Sequence, residues 1–513
     1  MRKIKSFLKW LFGISVAATC ILLIVAWFYI KSEERKLSGA NTVVVNTSQF
    51  DPLYGKLAII NVNIILTELD SVLSNQTVLI HNEIIEYVGD ETEIAPEYII
   101  IDGQGKFLIP GLIDTHIHAY QSPNDLLLYL ANGITHVAIM SSWNGLYLEW
   151  REKAKQGALS PQIYVAAGPM NTAHDFRSKA YGFLGPIQLF NDPDETKKDI
   201  VQFKKMGYDA LKAYSLDKAN YAAVSEAAKE QNIPMIGHLT HEVSLDDLFN
   251  SNQSQVAHVE EITKAMEREF GGRRKIYYDN TEAFLSFMTK AADSVAKRLK
   301  ERNIAVSTTI DVYPRVKEQD LNLSEYLKSI QLEYLNPGIL EGSIFSPGWL
   351  PGSNRYEDPK NTSAAAIERA HLYWDTYIES VNIMTRALFR NGVKVTAGTD
   401  AGNPGIIPGF SLHDELEQLN AIGLSNQQVL HSATKAAAEW VDTNAGTIEV
   451  GRRADMVLLD ENPLLDINNT RSIRSVIANG KYLDREQLDN ILESVKDANN
   501  QSRKVNIDVY LKQ

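Results

Sequence analysis

Residue types that bind metal ions recur along this chain, each at the end of an apolar run. In order they are His116 and His118 in GLIDTHIH, Lys212 in GYDALKAY, His238 in IPMIGH, His258 in QVAHVEE and Asp400 in VTAGTD. Imidazole nitrogen and carboxylate oxygen are the usual ligands of catalytic zinc, whose sites keep one position open for water. Six ligands are more than one tetrahedral ion needs, so the set predicts two divalent metal ions, with zinc as the expected metal.

Each candidate ligand also has an ordinary structural interpretation. The two histidines of H-x-H share one face of a strand simply because side chains alternate with period 2. Lys212 could be a buried lysine paired with a nearby aspartate, and Asp400 could be a turn residue. His241 competes with His238 for the same position, and His238 is preferred because it ends the apolar run 233–237. Only the complete set, in this order, predicts a metal centre.

The order H-x-H, Lys, His, His, Asp resembles the binuclear amidohydrolase superfamily over about residues 55 to 480. In that family carbon dioxide carboxylates the lysine, and the resulting carbamate bridges the two ions; Lys212 matches this residue. The resemblance also implies that a metal-bridging hydroxide attacks the substrate carbonyl. Asp400 would act as the general acid and base that carries the proton to the leaving amine. One ion would be held by His116, His118 and Asp400, and the other by His238 and His258.

The resemblance also suggests residues that contact the substrate. His174, in GPMNTAHDF, matches a loop where peptidase-like members carry a substrate-contacting histidine. Tyr214 ends the fourth strand and is expected to face the pocket. Some members have a tyrosine two residues after the fifth-strand histidine, but here that place holds Thr240, followed by His241. His241 is therefore a candidate replacement, and the sequence departs at this point from the Xaa-Pro dipeptidase pattern.

The elements that must position these residues are strand-like runs alternating with helical stretches. The runs are GLIDTHIH, GITHVAIMSS, QIYVAAGP, YDALKAY, PMIGH, QVAHVEE, IAVSTTI and VKVTAGTD. Eight such units predict an α/β fold, a (β/α)8 TIM barrel over residues 110–434. Active sites of these barrels lie at the C-terminal ends of the strands, where each candidate ligand falls.

Short β runs separated by turn residues flank this block on both sides. They occupy residues 55–109 and 435–485, and they predict one small β-sandwich domain built from both chain ends. The segment GRRADMVLLDENPL also resembles the closing segment of the family. A second feature interrupts the barrel: residues 311–363, between the seventh and eighth strands, hold five prolines and several aromatic residues. We predict an active-site lid or binding loop there, with an interface to another subunit or to a membrane as the alternative.

The N-terminus predicts a membrane anchor. Trp10 to Ile30 is a run of 21 residues without a charge, against about 20 needed to span a bilayer as a helix. Four basic residues precede the run and three follow it, which favours an N-terminus in the cytoplasm. We therefore predict an anchor over residues 1–30, a polar stalk over 31–54 and a single-pass protein whose catalytic domain is extracytoplasmic, or periplasmic. A cleaved signal peptide is the alternative, although no A-x-A site follows, and a lipid anchor at Cys20 fits less well.

Composition limits the remaining choices. The 513 residues carry a net charge of −13, which argues against a nucleic-acid partner. With Cys20 as the single cysteine, intrachain disulfides and cysteine metal sites are excluded. The leading hypothesis is a metal-dependent hydrolase of a C–N bond in a small amide or peptide, with a dipeptidase as one candidate and a homo-oligomer as one compatible state. The alternatives are a mononuclear cyclic-amide hydrolase or deaminase with a structural Lys212, and a non-catalytic tethered binding protein.

Overall fold

The structure is a computed structural model that describes residues 2–90, 93–142, 145–175, 188–358 and 363–511. Residues 359–362 of the predicted insertion lie outside this description. The strands are β1 (Lys56–Leu66), β2 (Ser71–His81), β3 (Ile84–Gly89), β4 (Ile99–Asp102), β5 (Phe107–Pro110), β6 (Leu112–Ile117), β7 (Ile134–Ile139), β8 (Gln162–Asn171), β9 (Ala210–Ser215), β10 (Met235–Gly237), β11 (Gln253–Ala257), β12 (Ala305–Ser307), β13 (Val395–Thr396), β14 (Met456–Leu459), β15 (Ile473–Ala478) and β16 (Lys481–Asp484).

Helices connect and surround these strands. They are α1 (Arg2–Leu37), α2 (Asn124–Ala131), α3 (Leu146–Lys155), α4 (Pro193–Met206), α5 (Lys218–Glu230), α6 (Leu245–Asn250), α7 (Val259–Phe270), α8 (Arg273–Asp279), α9 (Thr281–Glu301), α10 (Val312–Ser329), α11 (Pro337–Glu341), α12 (Ala364–Arg390), α13 (Phe410–Ala421), α14 (Asn426–Ser432), α15 (Lys435–Trp440) and α16 (Arg485–Ser502). Short 3-10 turns lie at Thr47–Gln49, Leu332–Tyr334, Ile467–Arg471 and Asp508–Tyr510.

One sheet combines strands from both ends of the chain. Its order is β16-β15-β14-β5-β1-β2-β3, and β4 pairs with β1 beside β5. The long strand β1 pairs with β2 along its length, while β4 and β5 follow one another along its other edge. Strand β14 joins the two halves by pairing antiparallel with β5. A separate sheet domain of this kind agrees with the predicted fold class.

The second sheet is the barrel. Strands β6 to β13 pair side by side in chain order, and the pairs with a resolved register are parallel. The parallel bridge between Ile117 and Ala401 brings the first and last strands together. Parallel neighbours need a crossover connection, and the helical stretches seen in the sequence supply it. The predicted TIM-like barrel is therefore confirmed.

The barrel interior is closed by a polar contact among three strands. The hydroxyl of Thr115 lies 3.2 Å from that of Ser307 and 2.9 Å from that of Thr396, and it donates to the carbonyl of Ala397 at 2.8 Å. All three side chains are fully buried. Buried hydroxyls need such partners because an unpaired one costs free energy. This contact fixes β6 against the end of the sheet, where the first and last candidate ligands follow.

The helices begin and end where local chemistry predicts. Helix α4 shows the pattern: Asp192 is its N-cap and accepts from the amides of Asp194 and Glu195. Pro193 occupies the first turn, where no backbone N–H is needed, and Gly207 ends the helix at a φ of 89°.

The segment between β12 and β13 is largely helical instead of an irregular loop. Pro314 lies in the first turn of α10, and Pro337 begins α11, so prolines that suggested a loop stand where a helix tolerates them. The segment has its own apolar core, to which Leu340 and Trp349 contribute, joined by Ile507 from the C-terminal end. Because these side chains are buried together, the segment packs as a unit over one end of the barrel.

Helix α1 is the one helix in the described part of the chain that is long and apolar enough to cross a membrane, and a signal sequence would share this property. It continues to Leu37, into the predicted stalk. The residues after it lie against the barrel. The amide of Val45 donates to the side chain of Asn124 at 2.9 Å, and Phe50 is buried. The stretch assigned to a stalk therefore contacts the rest of the protein at a few buried residues, while many of its other side chains are exposed.

Candidate metal centre

All six candidate ligands lie at the C-terminal end of the barrel. His116 is on β6 and His118 follows it, while Lys212 is on β9. His238, His258 and Asp400 come immediately or shortly after β10, β11 and β13. Because parallel strands present their C-terminal ends on one face, these side chains meet although up to 284 positions separate them in the chain.

Three of these residues surround the His116 ring. The Lys212 Nζ atom lies 3.2 Å from His116 Nε2. Asp400 Oδ1 lies 3.4 Å from His116 Nε2 and 3.0 Å from His118 Nε2. His116 and Lys212 are fully buried, whereas the His118 side chain is about a quarter exposed. The first-strand pair, the lysine and the aspartate thus share one small volume.

The other two histidines complete the cluster. The ring centroid of His258 is 4.4 Å from that of His116 and 4.8 Å from that of His238. One ligand atom from each of His116, His258 and Asp400 lies within 4.8 Å of the others, which is close enough to hold a single ion. This trio draws residues from both of the ligand groups that the sequence assigned to separate ions.

An unpartnered atom tests whether the cluster fits a cation. Asp400 Oδ1 is buried and forms no hydrogen bond with the described residues, although His118 Nε2 approaches it to 3.0 Å without hydrogen-bond geometry. A buried carboxylate oxygen without a partner is costly. A divalent ion among the imidazoles would satisfy it, and imidazole with carboxylate is a donor set that suits zinc. The residues therefore fit a metal.

The electrostatics of the cluster favour neutral ligands. Burial holds the pKa values of His116 and His258 well below the ordinary range, so both rings are neutral and keep a lone pair for a metal. Burial also lowers the pKa of Lys212 to about 7, against the opposite pull of Asp400 and Glu261. A lysine in these surroundings is easily deprotonated near neutral pH.

Asp400 is held as an anion in an unusual backbone conformation. Burial opposes its charge, but His258, His118 and Lys212 outweigh burial and lower its pKa to about 2. Its φ is 60°, in the left-handed region that few non-glycine residues adopt. The side-chain amide of Asn403 donates to Asp400 Oδ2 at 2.5 Å, which leaves Oδ1 facing the histidines.

Asp114 connects the first strand to the turn that carries Asp400. Its carboxylate accepts from the amide of His116 at 3.2 Å, from the amide of Thr399 at 3.0 Å and from the Thr399 hydroxyl at 2.7 Å. Burial raises its pKa to about 7 despite these donors. Through these hydrogen bonds, Asp114 therefore orients His116 on the first barrel strand and Asp400 after the last barrel strand.

Three further supporting residues were not identified from the sequence. Glu261 is buried beside His238, with Oε1 3.4 Å from Nδ1 of that ring. Burial opposes its charge, but His238 and Lys264 lower the pKa of Glu261 to about 2. The Thr309 hydroxyl lies 2.8 Å from Nδ1 of His258, and Asn403 positions Asp400 as described above. The adjacent glutamates in HVEE were the one available signal for Glu261.

A cavity of about 860 Å³ opens over the cluster. His118, His238, His258 and Asp400 form part of its wall. The insertion and helix α12 supply a largely aromatic wall, with Tyr313, Trp349, Tyr356, Tyr373, Trp374 and Tyr377. Three cationic side chains, Lys264, Arg273 and Arg355, also line it. This volume is that of a site for a small molecule or a short peptide.

The predicted substrate residues divide into two groups. Tyr214 lines the cavity, with its ring centroid 4.3 Å from that of His238. His174 and His241 are not among the described residues that line the cavity. His174 is two-thirds exposed and lies 3.0 Å from Asp217, and His241 is exposed. The structure therefore does not bring these two histidines to the cluster, because both belong to surface turns beyond the strand ends.

A barrel with histidines, a buried lysine and an aspartate at the C-terminal strand ends defines the class of metal-dependent barrel hydrolases. The model of the Amidohydrolase family matches residues 107–483, which is more than half of the chain. The chain belongs to the amidohydrolase family.

Two relatives illustrate the sequence similarity. An imidazolonepropionase of Brevibacillus brevis is 23% identical over 442 residues, covering 80% of this chain and 90% of the relative. A 5-methylthioadenosine/S-adenosylhomocysteine deaminase of Thermodesulfovibrio yellowstonii is 24% identical over 447 residues, covering 81% and 89%. Both chains are matched over nearly their whole length, and both names describe enzymes.

Solved structures show the same fold. A bottromycin amidohydrolase superposes with a TM-score of 0.66 at 19% identity, covering 86% of this chain and 90% of its own. A Xaa-Pro dipeptidase with bound methionine gives a TM-score of 0.58 at 18% identity, covering 84% and 100%. At this level of identity the likeness concerns the fold alone.

Proposed function

We propose that this protein is a metal-dependent hydrolase that cleaves the C–N bond of a small amide or peptide. The observation that carries the proposal is the convergence of one buried lysine, four histidines and an aspartate, with Lys212 Nζ 3.2 Å from His116 Nε2. We assign His116, His118, Lys212, His238, His258 and Asp400 as ligands of two divalent ions, with zinc as the expected metal.

Lys212 is proposed to be carboxylated. Among the described residues its side chain hydrogen-bonds to an imidazole, and it forms no ion pair with a carboxylate. A buried ammonium without a counter-ion is costly, and the neutral amine is the form that attacks carbon dioxide. Loss of one proton then leaves an anionic carbamate. Its oxygen atoms would be ligands between the pair His116 and His118 and the pair His238 and His258.

Asp400 is proposed as the general acid and base. Bound divalent ions would lower the pKa of water and polarise the substrate carbonyl. Asp400 would accept the proton from the attacking water at Oδ1 and deliver it to the nitrogen of the leaving amine. Asn403 supports this role because its hydrogen bond to Oδ2 holds Oδ1 toward the cluster. The Tyr214 ring beside His238 is placed to contact the substrate.

A mononuclear enzyme acting on a cyclic amide or as a deaminase is the second candidate. It is favoured by the names of the two relatives and by the trio His116, His258 and Asp400, whose atoms alone suit one ion. In that case Lys212 would be structural.

Metal analysis separates the two candidates. The full chain, prepared with zinc and bicarbonate, should bind two equivalents of metal by elemental analysis, and preparation without bicarbonate should lower that number. Lys212→Ala should bind at most one equivalent, because a methyl group cannot bridge, and added acetate should restore part of the second. Lys155→Ala, at an exposed lysine paired with Glu152, is the control and should bind two. One equivalent in every preparation would favour the mononuclear enzyme.

We further propose that α1 anchors the enzyme in a membrane as a single span, with the catalytic domain outside the cytoplasm. The support is the uncharged run of 21 residues, the exposure of the whole apolar segment and the basic residues that precede it.

A further inference from the structure

The end of the membrane-spanning helix lies against the segment that covers the active site. The carboxylate of Glu33 on α1 accepts from the amide of Ile344 at 3.0 Å. One turn further, Lys36 Nζ lies 3.7 Å from Glu341 Oε2 at the end of α11. The backbones also approach closely, since a Cβ on Gly338 would lie 2.2 Å from the carbonyl of Lys36. The C-terminal end of helix α1 therefore packs as part of the segment that covers the active site.

These contacts fix the height of the segment relative to a bilayer. Ile30 ends the uncharged run, and Glu33 follows it by three residues, about 4.5 Å along a helix. The headgroup layer on each side of the hydrocarbon core is about 5 to 8 Å thick. If α1 spans the membrane, Ile344 lies within that layer. Ile344 is 56% exposed and Phe345 beside it is partly exposed, as suits residues that contact lipid.

The same segment forms part of the wall of the active-site cavity. Leu37 and Ser38 at the end of α1 line the cavity together with Ile339, Gly342 and Trp349. Leu37 follows Ile30 by seven residues, about 10 Å along the helix, so this part of the cavity wall would stand a few ångströms beyond the headgroup layer. A molecule that leaves the bilayer beside Ile344 would meet a cavity wall that begins two residues away, at Gly342.

The lining of the cavity matches an amphiphile with an anionic polar part. Its aromatic wall, which includes Trp349 and Trp374, suits an apolar chain. Arg355 hydrogen-bonds to the Tyr356 hydroxyl and to the side chain of Asn403, and Arg273 hydrogen-bonds to the Tyr373 hydroxyl. Within the described residues neither guanidinium forms an ion pair with a carboxylate, although Glu267 lies near enough to interact with the charge of Arg273. Arg355 reaches Asp400 through Asn403, so it would hold an anionic group beside the scissile bond.

We propose that the mouth of the active site stands on the membrane surface and receives an amphiphilic amide from the bilayer, with an apolar chain and an anionic polar part. The inference rests on the proposed hydrolase function and on the proposed anchor. Hydrolysis adds water across the C–N bond and releases a carboxylic acid and a free amine. One of the two products keeps the apolar chain and returns to the bilayer.

The membrane contact is tested without any turnover. The full chain with Cys20 replaced by serine is given one new cysteine at Ile344, labelled with an environment-sensitive dye and placed in lipid nanodiscs. Lipids that carry a quencher should reduce the fluorescence of the label at position 344 several-fold more than that of the same label on Leu465→Cys. Leu465 is an apolar residue that lies outside this surface and is 81% exposed. Equal quenching at the two positions would overturn the proposal.

The substrate class is tested with a series of N-acyl amino acids in the same nanodiscs. Each extension by two methylene groups should raise kcat/KM by about tenfold, because each group that partitions into lipid contributes about 0.8 kcal/mol. Ile344→Asp should lose several-fold of the activity on the dodecanoyl substrate and keep that on the acetyl substrate, whereas Ile344→Leu should keep both. Activity that does not depend on chain length would refute the substrate class. An enzyme that hydrolyses neither amide, with the label still in lipid, would refute the substrate class and leave the membrane contact standing, whereas the metal analysis above tests the hydrolase function separately.

Discussion

Asp114 and Thr399 join the two edges at which the barrel closes. The Thr399 hydroxyl and amide both donate to the Asp114 carboxylate, at 2.7 and 3.0 Å, and the next residue after Thr399 is Asp400. The same carboxylate accepts from the amide of His116. One buried side chain thus sets the distance between two proposed ligands that lie on opposite ends of the barrel sequence.

Asp114→Asn should weaken metal binding about 10- to 100-fold, which is the usual effect of removing a group that orients ligands. An amide cannot accept all three hydrogen bonds, so Thr399 and Asp400 would shift relative to His116. Competitive metal titration measures the effect. Asp125→Asn, at another buried carboxylate whose pKa is raised to about 7 by burial, is the matched control and should leave the affinity unchanged. Equal loss in both variants would indicate general destabilisation.

Asp400→Asn should retain much of the metal and lose about 100- to 10,000-fold in kcat, because an amide cannot carry the proton. Elemental analysis and steady-state kinetics on the same sample check both parts. Retained turnover would assign the proton transfer to another residue.

His238→Ala should lose metal, while His241→Ala should not. The two residues are the same type and lie three positions apart, but His238 contacts the cluster and His241 is exposed. His241→Ala therefore serves as the control for the loss of a histidine in this turn. Metal loss in the His241 variant alone would show that the wrong histidine had been assigned to the site.

The buried His136 should make the protein less stable in acid. Burial lowers its pKa from 6.5 to about 4, against the pull of Asp455. Below pH 6.5 the unfolded chain binds a proton that the folded protein does not, so the free energy of unfolding falls as the pH drops from 6.5 to 4. The loss from this residue is on the order of 3 kcal/mol. In chemical denaturation over this range, the free energy of unfolding should depend less on pH for His136→Gln than for the parent protein. The same pH dependence in both proteins would contradict the prediction.

The purified protein should keep α1, because contacts of Glu33 and Lys36 with the insertion belong to the folded enzyme. Peptide mapping by mass spectrometry should recover the residues of α1 from the purified protein. A reporter enzyme that works only outside the cytoplasm should be active when it is fused to the C-terminal end. Activity of a reporter that works only in the cytoplasm, fused at the same place, would refute the proposed topology.

Much of the fold followed from local pattern. Buried strands such as β6 and β7 are short apolar runs, and helical stretches alternate with them along the chain. This alternation allowed the eight-unit barrel to be predicted. The six proposed ligands could be selected because barrel geometry places the residues at the C-terminal ends of the strands on one face. The helical nature of the insertion was missed, since prolines in the first turn of a helix resemble prolines in a loop.

Other features depend on contacts between residues far apart in the sequence. Glu261 beside His238, Asn403 against Asp400 and Thr309 against His258 depend on how loops fold back over the barrel. The surface position of His174 and His241 depends on the same loops. The contact of Glu33 with Ile344 joins residues 311 positions apart. The sequence by itself determined the strands and the residues that end them, because hydrophobic periodicity is a local property. Tertiary structure alone decided which polar groups neutralise one another, because burial and charge act through space.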